Sequence, residues 1–282
     1  MTADVYGIIG CPVGHSMSPE IHNLAFQDLL IDAVYHRFHV EKRDLEAAVK
    51  GIRALGIKGV NVTIPHKEDV IPFLDAIDET AARMGAVNTI VNEDGRLKGY
   101  NTDGQGYIES VLPYLDKELS EISCLIIGAG GAARGIYSAM AHAETGRVDL
   151  ANRTPSRAYA ILESCSAPVS SKVITLDQAQ CSLTDYDLII QTTSIGMSPK
   201  EQAKPISLAG IVPGTIVSDI IYNPVKTVFL QEAEKHGCRI VSGVGMFIYQ
   251  AALSFRHWTG KMPDVKAMEA VVLQKLGGSK IC

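Results

Sequence analysis

The sequence predicts an α/β protein of two domains, the second of them a doubly wound nucleotide-binding fold. Three observations predict it. Extended and helical signals alternate along the first hundred or so residues in βαβ order. A glycine-rich turn, Gly128-Ala129-Gly130-Gly131-Ala132-Ala133, follows the apolar run Leu125-Ile126-Ile127 and opens an alanine-rich stretch. Beyond that turn, apolar runs and helical patterns alternate again as far as Val241.

The elements follow in order. Val5-Tyr6-Gly7-Ile8-Ile9-Gly10 is an apolar run and reads as a strand. Ser18-Pro19-Glu20 reads as an N-cap with proline at the first helical position, opening a helix with apolar residues at Ile21, Leu24, Ala25 and Leu29. Residues 34–40 read as a strand, 44–55 as an amphipathic helix stopped by Gly56, and 59–64 as another strand. Parallel strands need a crossover between them, so this order predicts a mostly parallel sheet. A helix starts near Gly104, and polar residues 116–120 form the expected hinge. Then come a strand (122–127), the glycine turn, a helix (131–142), a strand (147–151), a helix (155–164), and strands at 187–191 and 216–220. After Ile240-Val241, residues 245–258 read as one apolar-rich helix, and a last helix runs from about 264 to 276. Both are expected to return to the first domain, giving one domain of 1–105 plus 243–282 and another of 106–242.

A chain of 282 residues, 46% hydrophobic and 20% charged, has the composition of a globular protein with room for two medium cores. Its formal charge of -5 provides no basic field for a polyanion, which excludes nucleic acid as a partner, although local arginines can still hold a small phosphate. Cys11, Cys124, Cys165, Cys181, Cys238 and Cys282 form no Cys-x-x-Cys pair, and several sit in strand-like runs. That is the pattern of reduced thiols in a cytoplasmic protein. No charged and apolar leader precedes the first strand, and no apolar run reaches the ~20 residues of a membrane span, so neither export nor insertion is expected. His15, His22, His36, His39 and His66 fit no zinc spacing, and no metal is expected.

The glycine turn has the spacing G-x-G-x-x-A. Its glycines allow a tight turn and bring backbone close to a pyrophosphate at a helix N-terminus, which makes Gly128, Ala129, Gly130, Gly131 and Ala132 candidate cofactor contacts. An NAD site places an acid about 20 residues on, at the end of the second strand. Asp149 is near that distance but lies mid-strand, and the strand ends instead at Asn152-Arg153-Thr154, with Arg157 one helical turn further. Two guanidiniums and a hydroxyl suit a dianionic 2′-phosphate and offer nothing to a bare diol, so NADP is the expected cofactor. The competing reading, two solvated charges at a helix start, sets cations against the helix dipole.

Asn61-Val62-Thr63-Ile64-Pro65-His66-Lys67 places one lysine just past a strand, and Asn101-Thr102-Asp103-Gly104 supplies a carboxylate it can pair with. An acid/base pair upstream of a dinucleotide fold points to a dehydrogenase. Hydride delivered to a ketone builds an alkoxide, which needs a proton from a positioned acid and stabilisation as its charge develops. Lys67 can give both, while Asp103 would hold the lysine, tune it, and accept from a neighbouring substrate hydroxyl. A lysine at a strand end is otherwise a solvated surface residue.

Gly10-Cys11-Pro12-Val13-Gly14-His15-Ser16-Met17-Ser18-Pro19, the segment from Asn61 to Lys67, Gly85-Ala86-Val87-Asn88-Thr89, Asn101-Thr102-Asp103-Gly104, the glycine turn and Asn152-Arg153-Thr154 together resemble the shikimate dehydrogenase family. The likeness continues through Asp219-Ile220-Ile221-Tyr222-Asn223-Pro224, the stretch from Gly243 to Gln250, and Trp258-Thr259-Gly260, so it covers nearly the whole chain in order. The resemblance implies NADP-linked reduction of 3-dehydroshikimate to shikimate, a step of aromatic amino-acid biosynthesis, in a catalytic N-terminal domain facing a Rossmann domain across a cleft. It assigns catalysis to Lys67 and Asp103 and leaves open which carries the proton. It puts Ser16 and Ser18 on the substrate carboxylate, where Ser18 can also be a plain N-cap, and it puts Thr63, Asn88, Asp103, Tyr222 and Gln250 on ring hydroxyls or carboxylate. Ile220 and Gly243 fall against the nicotinamide through backbone atoms, and Glu79 falls near the cofactor as in some relatives. A relative that also oxidises quinate would carry an acid in the Arg153 region, and a non-catalytic sugar-acid-binding relative would have lost Lys67 or Asp103. A monomer and a homodimer both remain open.

Overall fold

In a computed structural model, which describes residues 3–277, the chain divides into two units. The first runs through Thr102 and takes in Gln250–Lys275, and the second is built on Asp103–Tyr249.

The first unit contains β1 (Asp4–Gly10), α1 (Ser18–Asp28), β2 (Ala33–His39), α2 (Leu45–Ala54), β3 (Gly59–Val62), β4 (Ala76–Ile77), α3 (Glu79–Met84), β5 (Thr89–Glu93) and β6 (Arg96–Tyr100). The strands form one sheet in the order β2-β1-β3-β5-β6-β4. β1 lies parallel to β2 and β3, setting Gly10 opposite His39 and Ile9 opposite Val62. β4 is again parallel to β6, so the sheet is mostly parallel as expected, and the exception is β5, which runs antiparallel to both β3 and β6. Asp94 and Gly95, with φ of 51° and 94°, make the two-residue turn that folds β5 back onto β6. Both central residues at positive φ give the twist that matches a hairpin. β3 also ends two residues before the expected limit, at Val62.

The helix starts one residue away from the expected register. Ser18 is the first helical residue, Met17 occupies the cap without a side-chain bond, and Pro19 stands one position further in. The hydroxyl that meets the helix start belongs to Ser16, which accepts from the Ser18 N–H at 3.3 Å.

The second unit runs α4 (Asp103–Val111), β7 (Ser123–Ile127), α5 (Gly131–His142), β8 (Arg147–Ala151), α6 (Pro155–Ser164), β9 (Val173–Ile174), α7 (Leu176–Cys181), β10 (Leu188–Gln191), β11 (Ile216–Asp219), α8 (Val228–Lys235) and β12 (Arg239–Val241). Every pairing in its sheet is parallel, in the order β9-β8-β7-β10-β11-β12. This is the Rossmann order, with the direction of winding reversing between β7 and β10. Strands such as Leu188–Gln191 are buried at every position, as helices on both faces require. One face packs Ile126, Ile136, Leu150 and Ile190, the other Leu125, Ile189, Val217 and Phe229.

α9 (Gly243–Thr259) contains the boundary between the units, and α10 (Val265–Lys275) belongs to the first. In the first unit Phe255 joins Tyr6, Phe26 and Tyr35 in a core beneath the sheet. Trp258 Nε1 donates to the Ile90 carbonyl at 3.0 Å. Gly59 makes room for that indole, since a Cβ there would sit 2.2 Å from Trp258 Nε1. Cys11, Cys124, Cys165, Cys181 and Cys238 are free thiols, and Cys282 lies outside the described residues.

Candidate active site

The carboxyl end of β7 runs into Gly128, whose φ is +119°. A Cβ there would lie 2.5 Å from Thr192 Oγ1 and 2.9 Å from Thr193 Cγ2, so only glycine lets the chain turn. Gly130 and Gly131 have no atom within 4 Å of where a Cβ would stand. α5 has no side-chain cap and no acid in its first turn. Its unpaired N–H groups and positive dipole end are therefore left for an anion, beside Ala129 and Ala132 and at the switch point of the sheet. The far wall of the turn is the loop after β10, which sequence reasoning did not single out. Gln191 Nε2 donates to the Thr193 and Ile195 carbonyls, both at 3.0 Å, and Thr192 Oγ1 donates to the Ile127 carbonyl at 2.8 Å. The available signal was a polar Gln-Thr-Thr-Ser run at the end of the strand beside the switch point.

Just past β8, Asn152 Nδ2 donates to the Thr154 carbonyl at 2.9 Å, while Arg153, Thr154 and Arg157 are exposed. Among the described residues no carboxylate pairs with either arginine. Asp149 is 1% exposed and already engaged, accepting from Arg147 Nε (3.0 Å), the Tyr186 hydroxyl (2.9 Å) and the Lys172 N–H (2.9 Å). It is a structural acid, buried and fully engaged within the protein. An uncapped helix start followed by two uncommitted guanidiniums fits the pyrophosphate and 2′-phosphate of NADP.

Ile220 and Gly243 come together in the second unit, because a Cβ on Gly243 would be 2.1 Å from the Ile220 carbonyl oxygen. Tyr222 stacks on Phe247 with ring centroids 5.1 Å apart, and burial pushes its phenol above the ordinary value. Asp219 anchors the intervening loop, accepting from the Ile221 N–H at 2.9 Å and the Thr227 hydroxyl at 2.7 Å. Burial outweighs those two bonds and pushes its carboxyl up to about 6.

In the first unit Ser16 and Ser18 meet, hydroxyl to hydroxyl, at 3.1 Å, and both are buried. Thr63 follows β3 and packs its methyl where a Cβ on Gly10 would stand 2.4 Å away. Lys67 sits half-buried in the next turn. That turn is pinned by His66, fully buried, whose Nε2–H donates to the Val40 carbonyl at 2.7 Å, and by the Val87 N–H, which reaches the Lys67 carbonyl at 2.8 Å. Asn88 belongs to a buried network: its Nδ2 donates to Thr102 Oγ1 (2.9 Å) and its Oδ1 accepts from the Thr102 N–H (2.9 Å) and the Thr89 hydroxyl (2.8 Å). The same network holds the backbone of Gln250, whose carbonyl accepts from Thr102 and Ser254 at 2.9 Å each. Asp103 opens α4 and is half-buried. Glu79 stands apart from these groups, its side chain 91% exposed and 3.7 Å from Arg83. No cluster of His, Cys, Asp or Glu among the described residues has the makings of a metal site.

An uncapped glycine turn followed by exposed arginines in the second unit, and buried hydroxyl and amide side chains with a half-buried lysine in the first, are the equipment of a nicotinamide-dependent dehydrogenase of a small polar substrate. Residues 8–90 match the family described as shikimate dehydrogenase substrate binding domain, 112–199 that described as shikimate / quinate 5-dehydrogenase, and 243–273 that described as shikimate 5'-dehydrogenase C-terminal domain. The chain belongs to the shikimate dehydrogenase family. The shikimate dehydrogenase (NADP(+)) of Bacillus licheniformis is 52% identical over 97% of this chain and 98% of its own length. Among solved structures, shikimate 5-dehydrogenase from Thermus thermophilus, in complex with NADP(H) and shikimate, aligns with a TM-score of 0.87 at 32% identity, over 96% of this chain and 99% of that one. The enzyme from Listeria monocytogenes, in complex with shikimate and NAD, aligns with a TM-score of 0.90 at 32% identity over 96% of both chains. No described helix is long and apolar enough to cross a membrane.

Proposed function

We propose that the protein catalyses the reversible NADP-dependent reduction of 3-dehydroshikimate to shikimate, a step toward aromatic amino acids. The observation that carries this reading is the joint presence, in one chain, of a bare glycine-turn cradle leading to Arg153 and Arg157 and of a buried serine pair in the same unit as the Lys67 turn. NADPH, when bound, supplies the hydride. Gly128, Ala129, Gly130, Gly131 and Ala132 present backbone to its pyrophosphate, and Asn152, Arg153, Thr154 and Arg157 take the 2′-phosphate. Ile220 and Gly243 offer backbone atoms to the nicotinamide, and Glu79 is a more distant contributor.

On the substrate, Ser16 and Ser18 donate to the carboxylate, and Thr63, Asn88, Tyr222 and Gln250 hold the ring hydroxyls. Such a cage rejects analogues that lack a hydroxyl, because its own polar groups are then left unpaired. Lys67 carries its ammonium to the oxygen on which charge develops and stabilises it there. Asp103 accepts from the adjacent substrate hydroxyl, and Lys67 and Asp103 together deliver the proton to the new alkoxide. Free thiols suit a cytoplasmic enzyme, working as a monomer or a homodimer.

Steady-state oxidation of shikimate with NADP and with NAD tests the reading. Turnover with NADP at a kcat/KM at least about tenfold above that with NAD is expected from a charge-assisted phosphate contact. No turnover of shikimate with either cofactor would overturn the reading, and equal or better turnover of quinate with NAD would move the protein to the broader-specificity class.

A further inference from the structure

Arg37, on β2, takes no part in the roles described so far. Its guanidinium reaches the start of α1, where Nε and Nη2 both donate to the Ser16 carbonyl, at 2.8 and 2.5 Å, and Nη2 also meets both carboxylate oxygens of Glu20 at 2.8 Å. Lys275, the last residue of α10, donates to the same Glu20 carboxylate. The Arg37 side chain is only 33% exposed and that of Glu20 21%.

The Ser16 peptide is thus gripped from behind. The Ser16 hydroxyl is itself bonded to both the N–H and the hydroxyl of Ser18, so wherever the Ser16 carbonyl is held, the hydroxyl pair follows. Glu20 stands in the first turn of α1, where free N–H groups and the dipole favour an anion. Left alone it would compete with a substrate carboxylate at that place. Turned onto Arg37 and Lys275, it is neutralised, and two cations against one anion leave a net positive charge behind the serines.

We propose that Arg37 is a positioning residue for the substrate carboxylate: it sets the Ser16–Ser18 hydroxyl pair through the Ser16 carbonyl and, with Glu20 and Lys275, makes that end of the pocket selective for an anionic substrate. The proposal rests on the function given above. Lysine cannot replace the arginine, because a single ammonium has no planar fork with which to bond the carbonyl and the carboxylate together.

The test is steady-state kinetics of shikimate oxidation at saturating NADP for the wild type, Arg37→Gln, Arg37→Lys, Ser16→Ala and the Arg37→Gln/Ser16→Ala double variant. Arg37→Gln should raise KM for shikimate about 10- to 100-fold, the range for losing charge-assisted hydrogen bonds. Its kcat should stay within about threefold and its KM for NADP unchanged, the pattern of lost ground-state binding. Arg37→Lys should recover only a minor part of that loss. The double variant should be within about threefold of the worse single one, because Arg37 acts through Ser16. Should Arg37→Gln not fold, Lys275→Gln, which removes one of the two cations that hold Glu20, is expected to raise the same KM about two- to fivefold, and an unchanged KM there would overturn the charge part of the proposal. An unchanged KM in folded Arg37→Gln, full recovery by lysine, or additive losses in the double variant would each overturn the proposal while the wild type still oxidised shikimate. A wild type inactive on shikimate would instead overturn the function and, with it, this inference.

Discussion

The roles proposed for Arg153 and Lys67 can each be isolated by a single substitution. Arg153 is exposed at the end of β8 with no carboxylate to neutralise it among the described residues. Losing one charge-assisted bond to the 2′-phosphate costs roughly 1.5–3 kcal/mol, so Arg153→Ala should weaken NADP binding about 10- to 150-fold and leave NAD almost untouched. Fluorescence titration with both dinucleotides checks this, and equal losses would remove the phosphate assignment. Lys67→Ala should slow hydride transfer by about 10²–10⁴ in single-turnover experiments, where slow product release cannot hide a chemical defect. A near-normal single-turnover rate would refute its chemical role. The sequence prompts both proposals because each residue breaks a local pattern: Arg153 stands where a nucleotide fold usually keeps an acid, and Lys67 closes a polar turn after an apolar strand. Arg37 is not legible, since its partner is a backbone carbonyl 21 positions away, and a pairing of that kind leaves no pattern in side-chain types.

At the scale of elements, Asp219 ties the end of β11 to the loop that carries Ile220 and Tyr222, and it does so at a cost. Its folded carboxyl holds a proton up to about 6 against an ordinary 3.8, because burial opposes the charge. Between those values the folded chain binds more protons than the unfolded one, so this group lowers stability as pH rises from about 4 to 6, by up to about 3 kcal/mol. Asp219→Asn cannot ionise and lacks that term. The stability of the variant relative to wild type should therefore improve as pH rises from 4.5 to 7, as measured by urea unfolding at each pH, and parallel profiles for the two proteins would sink the assignment. The same scale shows where pattern reading succeeds. α5, β8 and α6 have the bounds that periodicity and punctuation predict, 131–142, 147–151 and 155–164, because a glycine, Thr154 or Pro155 marks a limit of each. The β5–β6 hairpin went unread although Asp94-Gly95 is a strong turn signal. The flanking strands are only five residues each, and a βαβ expectation left no place for an antiparallel pair. The Ser18 cap failed for a related reason: the buried Ser16 hydroxyl took the helix-start N–H instead, a competition that composition does not reveal.

For the whole molecule, the doubly wound sheet was legible from the glycine turn and the alternation after it, and the first sheet was legible in its parallel part but not in the antiparallel β5. The two units have separate cores, and the proposed contacts are distributed over both: the cradle, the two arginines, Asp103 and Tyr222 in the second, the serines and Lys67 in the first. Ligand that binds only folded protein adds about 2.7 kcal/mol at 100 times its Kd. A gain of that size raises Tm by about 5–10 °C for a domain of 150–250 residues. NADP and shikimate should therefore each raise the melting temperature, and substitutions should divide the two effects by unit. Arg153→Ala should lose most of the rise caused by a fixed NADP concentration while keeping that caused by shikimate. Ser18→Ala should lose the shikimate rise and keep that of NADP. Hydrogen exchange gives the same test at peptide resolution, with NADP expected to slow amides in β7 and the first turn of α5, and shikimate those at the start of α1 and in residues 61–67. A chain that melts in two steps would sharpen the test, since NADP should then move the step belonging to the second unit. If Arg153→Ala and Ser18→Ala each abolished both ligand effects to the same degree, neither residue would be a local contact, and the division of binding between the two units would have to be abandoned.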